Sequence, residues 1–303
     1  MTNLSTTSKE KLGTSSNTLA LLFLQLRPKQ WTKNILVFAA PLFSFKVTNF
    51  HMILQSLIGF FLFCFVSGCV YILNDFVDRE ADRNHPEKKY RPMASGALNP
   101  YIAICVGAIL LLFSLAFAFN QNIMFGVILS LYFVLNVAYS FKLKHVVIVD
   151  VMIIASGFVF RAIGGGLIIN VPFTPWFIIC TMLLALFLAL SKRRHELSLL
   201  QRNKSAHRKV LESYSISFVD QLNSIVITGA IISYSLFTFT SGHTIYLMLT
   251  IPFVIYGIFR YIYLIHMEEK GGSPEKVLLE DKHVLVTVIL YALLVFIILN
   301  YFD

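Results

Sequence analysis

Blocks of apolar residues, each about 20 residues long or longer, follow one another from residue 18 to residue 301. A block of this length crosses a hydrocarbon core of about 30 Å as an α-helix. No water bonds the backbone inside a bilayer, so each block satisfies its own N–H and C=O groups by forming a helix. The sequence therefore predicts an all-α fold, a polytopic membrane bundle of about nine transmembrane helices. The predicted spans are residues 18–45, 51–73, 101–119, 123–141, 146–169, 174–191, 216–240, 244–265 and 284–301.

The composition supports a membrane domain along most of the chain. Hydrophobic residues make up 57% of the 303 residues and charged residues 14%, whereas a soluble domain carries about 25% charged residues. Residues 1–18 are polar and rich in Ser and Thr, so we expect a disordered N-terminal tail and no cleavable signal peptide. Residues 19–303 are expected to form a single membrane-embedded domain. The four cysteines lie in apolar spans and lack the spacing of zinc ligands.

Positive charge is distributed unevenly between alternate connections. If the spans alternate in direction, all but two of the 25 Lys and Arg residues lie on one side of the bilayer, the exceptions being Lys46 and Arg161. The positive-inside rule then puts the N-terminus and the long polar connections in the cytoplasm. We predict an integral protein of the bacterial inner membrane whose active site faces the cytoplasm. This asymmetry accounts for the net charge of +9, so no nucleic-acid partner is expected.

Acidic residues recur in segment 74–82, directly after an apolar span. On a helix with 100° per residue, Asp75, Asp78 and Asp82 fall within an arc of about 60°, and Glu80 projects to the other side. Carboxylates this close repel one another unless a cation lies between them. Oxygen ligands of this kind suit Mg²⁺, which is commonly held by one or two carboxylates plus substrate phosphates. The pattern predicts Mg²⁺ ligands at Asp75, Asp78 and Asp82; the alternative is a solvated acidic helix end.

Basic residues follow these carboxylates in segment 85–96. Lys88 and Arg91 are suited to neutralise phosphate charge that a metal leaves uncompensated. Carboxylates followed by cations are the combination that a metal–diphosphate complex requires. His85 has two interpretations, either a catalytic base or a residue that fixes the loop with a hydrogen bond.

These motifs resemble those of the UbiA superfamily of intramembrane prenyltransferases, and the resemblance extends over residues 25–300. The pattern N-D-x-x-D-x-x-x-D is matched in full, and a downstream R-P-x-x-S-G is matched as well. The resemblance implies a nine-helix bundle, an Mg²⁺-dependent site and transfer from a diphosphate donor to an acceptor. The matching residues are Asn74, Asp75, Asp78 and Asp82, followed by Arg91, Pro92, Ser95 and Gly96.

Within the superfamily the chain is most similar to the decaprenyl-phosphate phosphoribosyltransferases. That subfamily implies phosphoribosyl diphosphate as the donor and a membrane polyprenyl phosphate lipid as the acceptor. The stretches that carry the similarity are 27–34, 85–92, 139–145, 157–165 and the loop 271–275.

One departure from the superfamily pattern lies at residues 192–196, after the sixth predicted span. Members with aromatic acceptors carry a second Asp-rich motif there, which helps to hold a second Mg²⁺. Here the segment reads Lys-Arg-Arg-His-Glu, so a single carboxylate remains, and Lys192 and Glu196 are i,i+4 neighbours on one helix face. The cationic segment, with Arg193 in it, suits an additional phosphate group better than a second metal. The alternative for its basic residues is ordinary positive-inside anchoring.

Charged residues elsewhere at the membrane boundary have two interpretations each. Lys29 and Lys33 either contact phosphate or lie at the interface with their charges among the headgroups. Arg161 either lines a polar cavity or bonds backbone carbonyls of a helix broken near residues 164–166. Asp150 is expected to orient a neighbouring polar side chain rather than to bind metal. The side chains that it would orient are Lys144 or Tyr139.

The sequence therefore predicts Mg²⁺-dependent transfer of 5-phosphoribosyl to a polyprenyl phosphate such as decaprenyl phosphate, with release of pyrophosphate. Two alternatives remain open: a prenyltransferase with an aromatic or lipid acceptor, and a secondary transporter. A homo-oligomer is compatible with the sequence. The predicted catalytic residues are Asp75, Asp78, Asp82, Arg91 and Lys144. The predicted substrate-binding residues are Lys29, Lys33, Asn74, Lys88, Tyr139, Arg161, Lys192, Arg193 and Glu196.

Overall fold

The computed structural model describes residues 17–42, 49–85, 88–172, 174–202, 209–268, 272, 277 and 280–302. Within these residues the chain is helical, and eight helical segments are long and apolar enough to cross a membrane. The prediction of an all-α polytopic membrane bundle is confirmed. The α-helices are α1 Thr18–Gln25, α2 Ala39–Leu42, α3 Phe50–Val77, α4 Arg79–Arg83, α5 Pro100–Gln121, α6 Ile123–Phe141, α7 Val149–Ile168, α8 Pro175–Arg202, α9 Ile216–Thr240, α10 Ile251–Met267 and α11 Lys282–Tyr301.

The first predicted span, residues 18–45, is not one α-helix. Helix α1 ends before Pro28, and a 3-10 helix, Pro28–Phe38, leads into the short α2. Arg27, which has a positive φ of 53°, contacts Asp75 near the C-terminal end of α3, whereas the chain enters α3 at Phe50. The described part of the first predicted span is thus divided among short helices, which accounts for eight candidate transmembrane helices among the described residues where nine were predicted.

The chain folds into two compact units, each built from two stretches of sequence. Unit 1 comprises Met1–Ile35 and Leu57–Val137, and unit 2 comprises Leu36–Ser56 and Ala138–Asp303. The single membrane domain expected from the sequence stays a prediction.

In unit 1 the connection after α4 is attached to the helices by apolar side chains. Met93 and Leu98 from this connection are buried against Leu21 of α1, Ile72 of α3 and Ala103 of α5. Burial of large apolar side chains of this kind stabilises a fold by about 1.5–3 kcal/mol each. The connection between α4 and α5, which carries the basic residues, is therefore anchored to the helices at Met93 and Leu98.

In unit 2 the hairpin of α10 and α11 is closed by a charged pair. The Asp281 side chain accepts a hydrogen bond from the Val284 N–H at 2.9 Å, which caps α11, and one from Arg260 Nη2 on α10 at 2.8 Å. The bond from Arg260 is the main reason why the pKa of Asp281 is lowered to about 2. Because the folded-state pKa is depressed, this contribution to stability is present at neutral pH and is lost only as the pH falls toward 2.

Close backbone packing within unit 2 explains a glycine in α7. A Cβ atom at Gly165 would overlap the carbonyl oxygen of Val37, a backbone atom with no freedom to rotate away. Glycine therefore permits α7 to approach the segment that contains Val37.

We expect Gly165→Ala to lower the melting temperature of the detergent-purified protein by several degrees, since overpacking of this kind costs about 1–3 kcal/mol. The matched control is Gly257→Ala on α10, where the nearest atom to a new Cβ is Thr287 Cγ2 at 3.8 Å. This control should melt at or slightly above the wild-type temperature, because alanine favours helix. Equal melting temperatures for the two variants would show that the contact with Val37 does not constrain the fold.

Candidate active site

Asp75, near the C-terminal end of α3, is the most heavily bonded carboxylate of unit 1. It is 2% exposed, and Gln25 Nε2 donates to its Oδ2 at 2.6 Å. Arg27 Nη2 and Arg91 Nη1 donate to its Oδ1 at 2.5 and 3.0 Å. The guanidinium of Arg27 also lies over the ring of Tyr71, 4.7 Å from its centroid. Three donors from two separate segments, the end of α1 and the loop after α4, therefore converge on one buried carboxylate.

Asp82 on α4 shares one of these donors. Arg91 Nη1 lies 2.6 Å from Asp82 Oδ2 and simultaneously bonds Asp75, so the same nitrogen bridges both carboxylates. Lys88 Nζ lies 3.9 Å from the other oxygen of Asp82. The two carboxylates and the guanidinium groups of Arg27 and Arg91 balance in charge. Charge-assisted bonds of this kind are stronger than neutral hydrogen bonds.

The loop that presents Arg91 is fixed by its own hydrogen bonds. The Ser95 N–H donates to the Arg91 carbonyl at 2.8 Å, and the Leu98 N–H donates to the Pro92 carbonyl at 3.0 Å. Gly96 has a φ of 81°, a left-handed conformation that other residues rarely adopt. The R-P-x-x-S-G motif thus forms a turn that leaves the arginine side chain directed at the carboxylates.

His85 lies at the start of the same loop, where its Nδ1 accepts a hydrogen bond from the Lys88 N–H at 3.3 Å. This contact agrees with the second of its two sequence interpretations, a loop-fixing residue. Lys88 is exposed, so its ammonium group faces the aqueous side of Asp82.

The donor chemistry at Asp75 and Asp82 fits a divalent cation. Both carboxylates have an oxygen within 3.0 Å of the same nitrogen of Arg91, so they converge on one positively charged group. Their oxygens are the hard ligands that Mg²⁺ prefers, and Mg²⁺ often takes only one or two carboxylates together with substrate phosphates. Among the described residues, no group of three or more His, Cys, Asp or Glu side chains is arranged to hold a metal ion.

The expected set of three metal ligands is therefore assembled only in part. Asp78 lies between the end of α3 and the start of α4, where it occupies the N-cap position with φ −85° and ψ 5°. The prediction that one uninterrupted helix carries Asp75, Asp78 and Asp82 is wrong at this residue, and the role of Asp78 as a ligand stays a prediction. Glu80 projects away as the angular argument predicts, because its side chain is 67% exposed and pairs with Arg83 at 3.0 Å.

A cavity of about 280 Å³ opens beside these groups within unit 1. Its walls include Gln25, Arg27, Asp75, Tyr90 and Arg91. Gln25 and Arg27 were not among the predicted site residues. The only signal for Arg27 was its position at the start of the polar stretch 27–34, and nothing in the sequence distinguishes Gln25 at the end of an apolar helix. Asn74, one residue before Asp75, is half-buried, and its substrate role stays a prediction.

Unit 2 contains a second buried charged network, centred on Asp150. This carboxylate is fully buried, and it accepts hydrogen bonds from Arg193 Nε at 2.8 Å and from the Tyr214 hydroxyl at 2.7 Å. Arg193, itself 1% exposed, also donates to Glu196 at 2.5 Å. Two partners of Asp150 are Arg193 and Tyr214, and the expectation that Asp150 orients Lys144 or Tyr139 stays a prediction.

Tyr214 links this network to the start of α7. Its hydroxyl accepts a hydrogen bond from the N–H of Ile148, which has a positive φ of 67°, and donates to Asp150. Burial and the bond to Asp150 raise the pKa of Tyr214 to about 12. The hydroxyl therefore stays protonated at physiological pH and keeps its donor for Asp150.

Segment 192–196 is part of helix α8, not of the loop that follows the sixth span. Its carboxylate, Glu196, accepts a hydrogen bond from Arg193 at i,i+3, and Lys192 lies four residues before Glu196 on the same helix. Arg194 pairs with Asp220 of α9 at 2.7 Å. Arg193 and Arg194 are therefore engaged in ion pairs that hold α8 in place, and the substrate roles of Arg193 and Glu196 stay predictions.

Arg161 is buried in α7, where its Nη1 donates to the Gly157 carbonyl at 2.7 Å. This contact favours the second interpretation from the sequence, a structural arginine bonded to backbone. The structure differs from that interpretation in one respect, because α7 continues without a break through residues 164–166.

The substrate-binding or catalytic roles of the other predicted residues stay predictions. Lys29 and Lys192 are exposed. The half-buried residues of this group are Lys33, Tyr139 and Lys144.

The chain is similar in sequence to known proteins. A family model described as the UbiA prenyltransferase family matches residues 35–280. A decaprenyl-phosphate phosphoribosyltransferase of Corynebacterium glutamicum is 35% identical over 267 residues, which cover 85% of this chain and 80% of that protein. A protein of the same name from Mycolicibacterium smegmatis is 31% identical over 297 residues and covers 93% of each chain. These relatives are named as transferases, in agreement with the predicted enzyme class.

Solved structures share the fold. A UbiA homologue from Archaeoglobus fulgidus bound to GPP and Mg²⁺ has a TM-score of 0.70 at 18% identity, over 92% of this chain and 99% of that one. A digeranylgeranylglyceryl phosphate synthase has a TM-score of 0.68 at 19% identity. At this identity the likeness establishes the fold alone. With a family match over most of its length and relatives above 30% identity, the chain belongs to the UbiA prenyltransferase family.

Proposed function

We propose that this protein transfers the 5-phosphoribosyl group from phosphoribosyl diphosphate to a membrane polyprenyl phosphate, such as decaprenyl phosphate, and releases pyrophosphate in an Mg²⁺-dependent reaction. The observation that carries the proposal is the convergence of Asp75 and Asp82 on Arg91 beside a cavity at the end of α3. The named activity of the relatives in Corynebacterium and Mycolicibacterium supports the choice of substrates.

The charge balance of the cluster suggests an order of events. Arg27 and Arg91 neutralise Asp75 and Asp82, so these carboxylates have little net attraction left for a free cation. A diphosphate offers the guanidinium groups a competing partner with more charge and with oxygens placed for bidentate bonds. Once Arg27 and Arg91 turn to the diphosphate, the carboxylates are available to a divalent cation. Mg²⁺ bound there would neutralise diphosphate charge and so favour departure of pyrophosphate.

In the proposed reaction the bond between ribose C1 and a pyrophosphate oxygen breaks, and pyrophosphate leaves with the bonding electron pair. An oxygen of the polyprenyl phosphate forms the new bond to C1. That oxygen is already anionic at neutral pH, so no strong general base is needed. Arg27, Arg91 and Lys88 stabilise the negative charge that collects on the leaving group. Lys144 is proposed to act in the same way.

An isoprenoid transferase with an aromatic or lipid acceptor is the second candidate. The observation in its favour is the shared fold with the Archaeoglobus fulgidus homologue bound to GPP and Mg²⁺. Against it stands segment 192–196, which offers one carboxylate, Glu196, and this carboxylate is paired with Arg193. A second Asp-rich motif would supply several carboxylates for a second metal. Segment 192–196 does not supply them.

We further propose that the protein lies in the bacterial inner membrane with its active site toward the cytoplasm. Segments 74–99, 142–145, 192–215 and 260–283, which contain the connections after α4, α6, α8 and α10 with the adjoining helix ends, hold 18 of the 25 Lys and Arg residues. If the spans alternate in direction, these segments share one side of the bilayer. The positive-inside rule assigns that side to the cytoplasm.

We expect the purified protein to convert polyprenyl phosphate and labelled phosphoribosyl diphosphate into a labelled lipid in the presence of Mg²⁺. Removal of divalent cations with a chelator should abolish the product, and added Mg²⁺ should restore it. The measurement is the label in the extracted lipid fraction. Turnover of a prenyl diphosphate without any labelled lipid would overturn the phosphoribosyl assignment in favour of the second candidate.

Asp78→Asn should lower kcat/KM by about a hundredfold if this carboxylate joins the metal site in the loaded enzyme, since several kcal/mol of charge stabilisation are lost. The matched control is Glu80→Gln, an equivalent change two residues away on an exposed side chain, which should cost less than about threefold. Near-normal activity of Asp78→Asn would remove it from the ligand set. A large loss in Glu80→Gln would contradict the orientation of α4.

A further inference from the structure

Gln25, the last residue of α1, has a side-chain amide whose oxygen lacks a hydrogen-bond partner in the described part of the chain. The side chain is 1% exposed, and its Nε2 donates to Asp75 Oδ2 at 2.6 Å. Its Oε1 is buried and has no hydrogen-bond partner within the described part of the chain. Buried polar atoms in folded proteins are nearly always paired, so an exception of this kind needs a partner from outside the chain or a functional explanation.

The orientation of this amide is fixed by chemistry. The carboxylate of Asp75 only accepts hydrogen bonds, so the NH₂ group of Gln25 must face it. The carbonyl oxygen is thereby directed away from Asp75 as a neutral acceptor. Rotation of the amide would bring two acceptors together, so the oxygen has no alternative within the chain.

The cavity next to Gln25 contains groups of complementary kinds. Arg27 and Arg91 offer donors with positive charge, which suit phosphate oxygens, and Asp75 offers charged oxygens, which suit a cation. Gln25 Oε1 suits neither an anion nor a guanidinium that is already bonded to Asp75. Its natural partner is a neutral hydroxyl group that donates a hydrogen bond.

We propose that Gln25 is a binding residue for the sugar of the diphosphate donor, with Oε1 accepting a hydrogen bond from a ribose hydroxyl. This inference rests on the proposed function and identifies a residue that selects its substrate class. An isoprenoid diphosphate has no hydroxyl group on its tail and would leave Oε1 unpaired. Sites built to bond a hydroxyl discriminate strongly against ligands that lack one, because the protein group is then buried without a partner.

Two variants of Gln25 separate this role from its support of Asp75. Gln25→Lys keeps a donor for Asp75 but has no acceptor, whereas Gln25→Met loses both. The full-length protein is titrated calorimetrically with phosphoribosyl diphosphate and with inorganic pyrophosphate, each with Mg²⁺. The readout is the ratio of the two dissociation constants, in which effects on Asp75 and on the metal cancel because both ligands carry the diphosphate. Gln25→Met adds no charge, so its ratio is free of the effect that a new lysine has on the 5-phosphate of phosphoribosyl diphosphate.

We expect the preference for phosphoribosyl diphosphate over pyrophosphate to fall about three- to tenfold in both variants, as for the loss of one hydrogen bond. Gln55→Met is the matched control, since Gln55 also has a buried Oε1 without a partner in the described part of the chain but is not among the residues that line the cavity. Its ratio should equal that of the wild type. An unchanged ratio in either Gln25 variant would overturn the proposal, and retained pyrophosphate binding would show that the variant is folded.

Failure of this inference is distinguishable from failure of the proposed function. If the wild type forms no phosphoribosyl lipid, the proposed reaction is wrong, whatever the Gln25 variants do. If the wild type forms the lipid but the Gln25 variants leave the ratio of dissociation constants unchanged, the proposed reaction stands and Gln25 does not bind the ribose.

Discussion

The arginine bridge between Asp75 and Asp82 is the interaction on which the arrangement of unit 1 depends. One nitrogen of Arg91 bonds both carboxylates, and Arg27 adds a second guanidinium to Asp75. Two buried carboxylates this close would otherwise repel each other. The bridge thus holds α1, α3, α4 and the loop after α4 in place, and it keeps a pair of oxygens together that suits Mg²⁺. The same contacts of Arg27 and Arg91 therefore stabilise unit 1 and position the carboxylates for a ligand.

The sequence was sufficient for the parts of the site that follow from helical periodicity. The 3.6-residue repeat separates Glu80 from Asp75 and Asp82, and the spacing of apolar blocks predicts the transmembrane helices. Gln25 and Arg27 were missed because their role arises from a contact across about 50 residues of sequence, for which periodicity carries no information. The break at Asp78 was missed for a related reason, because a single turn residue does not disturb the pattern of charges.

The basic segment on α8 shows what a charge pattern cannot indicate. From the sequence, Arg193 and its neighbours form a cationic segment that suits an additional phosphate group. Arg193 is buried and bonded to Asp150 and Glu196, and Asp150 lies more than 40 residues away. A buried ion pair of this kind is costly to break, because removing one partner leaves an uncompensated charge. The network with Tyr214 therefore stabilises unit 2 around the start of α7, a role that no local pattern indicates.

The central claim is that Asp75 and Asp82 take a divalent cation only together with a diphosphate, because Arg27 and Arg91 otherwise neutralise them. Equilibrium dialysis of Mn²⁺, a Mg²⁺ substitute that is readily detected, against the purified protein tests this directly, with and without inorganic pyrophosphate. The account predicts that pyrophosphate strengthens Mn²⁺ retention by the protein at least about tenfold, and that Asp75→Asn abolishes the gain. Equal Mn²⁺ binding with and without pyrophosphate, or a gain that persists in Asp75→Asn, would contradict it.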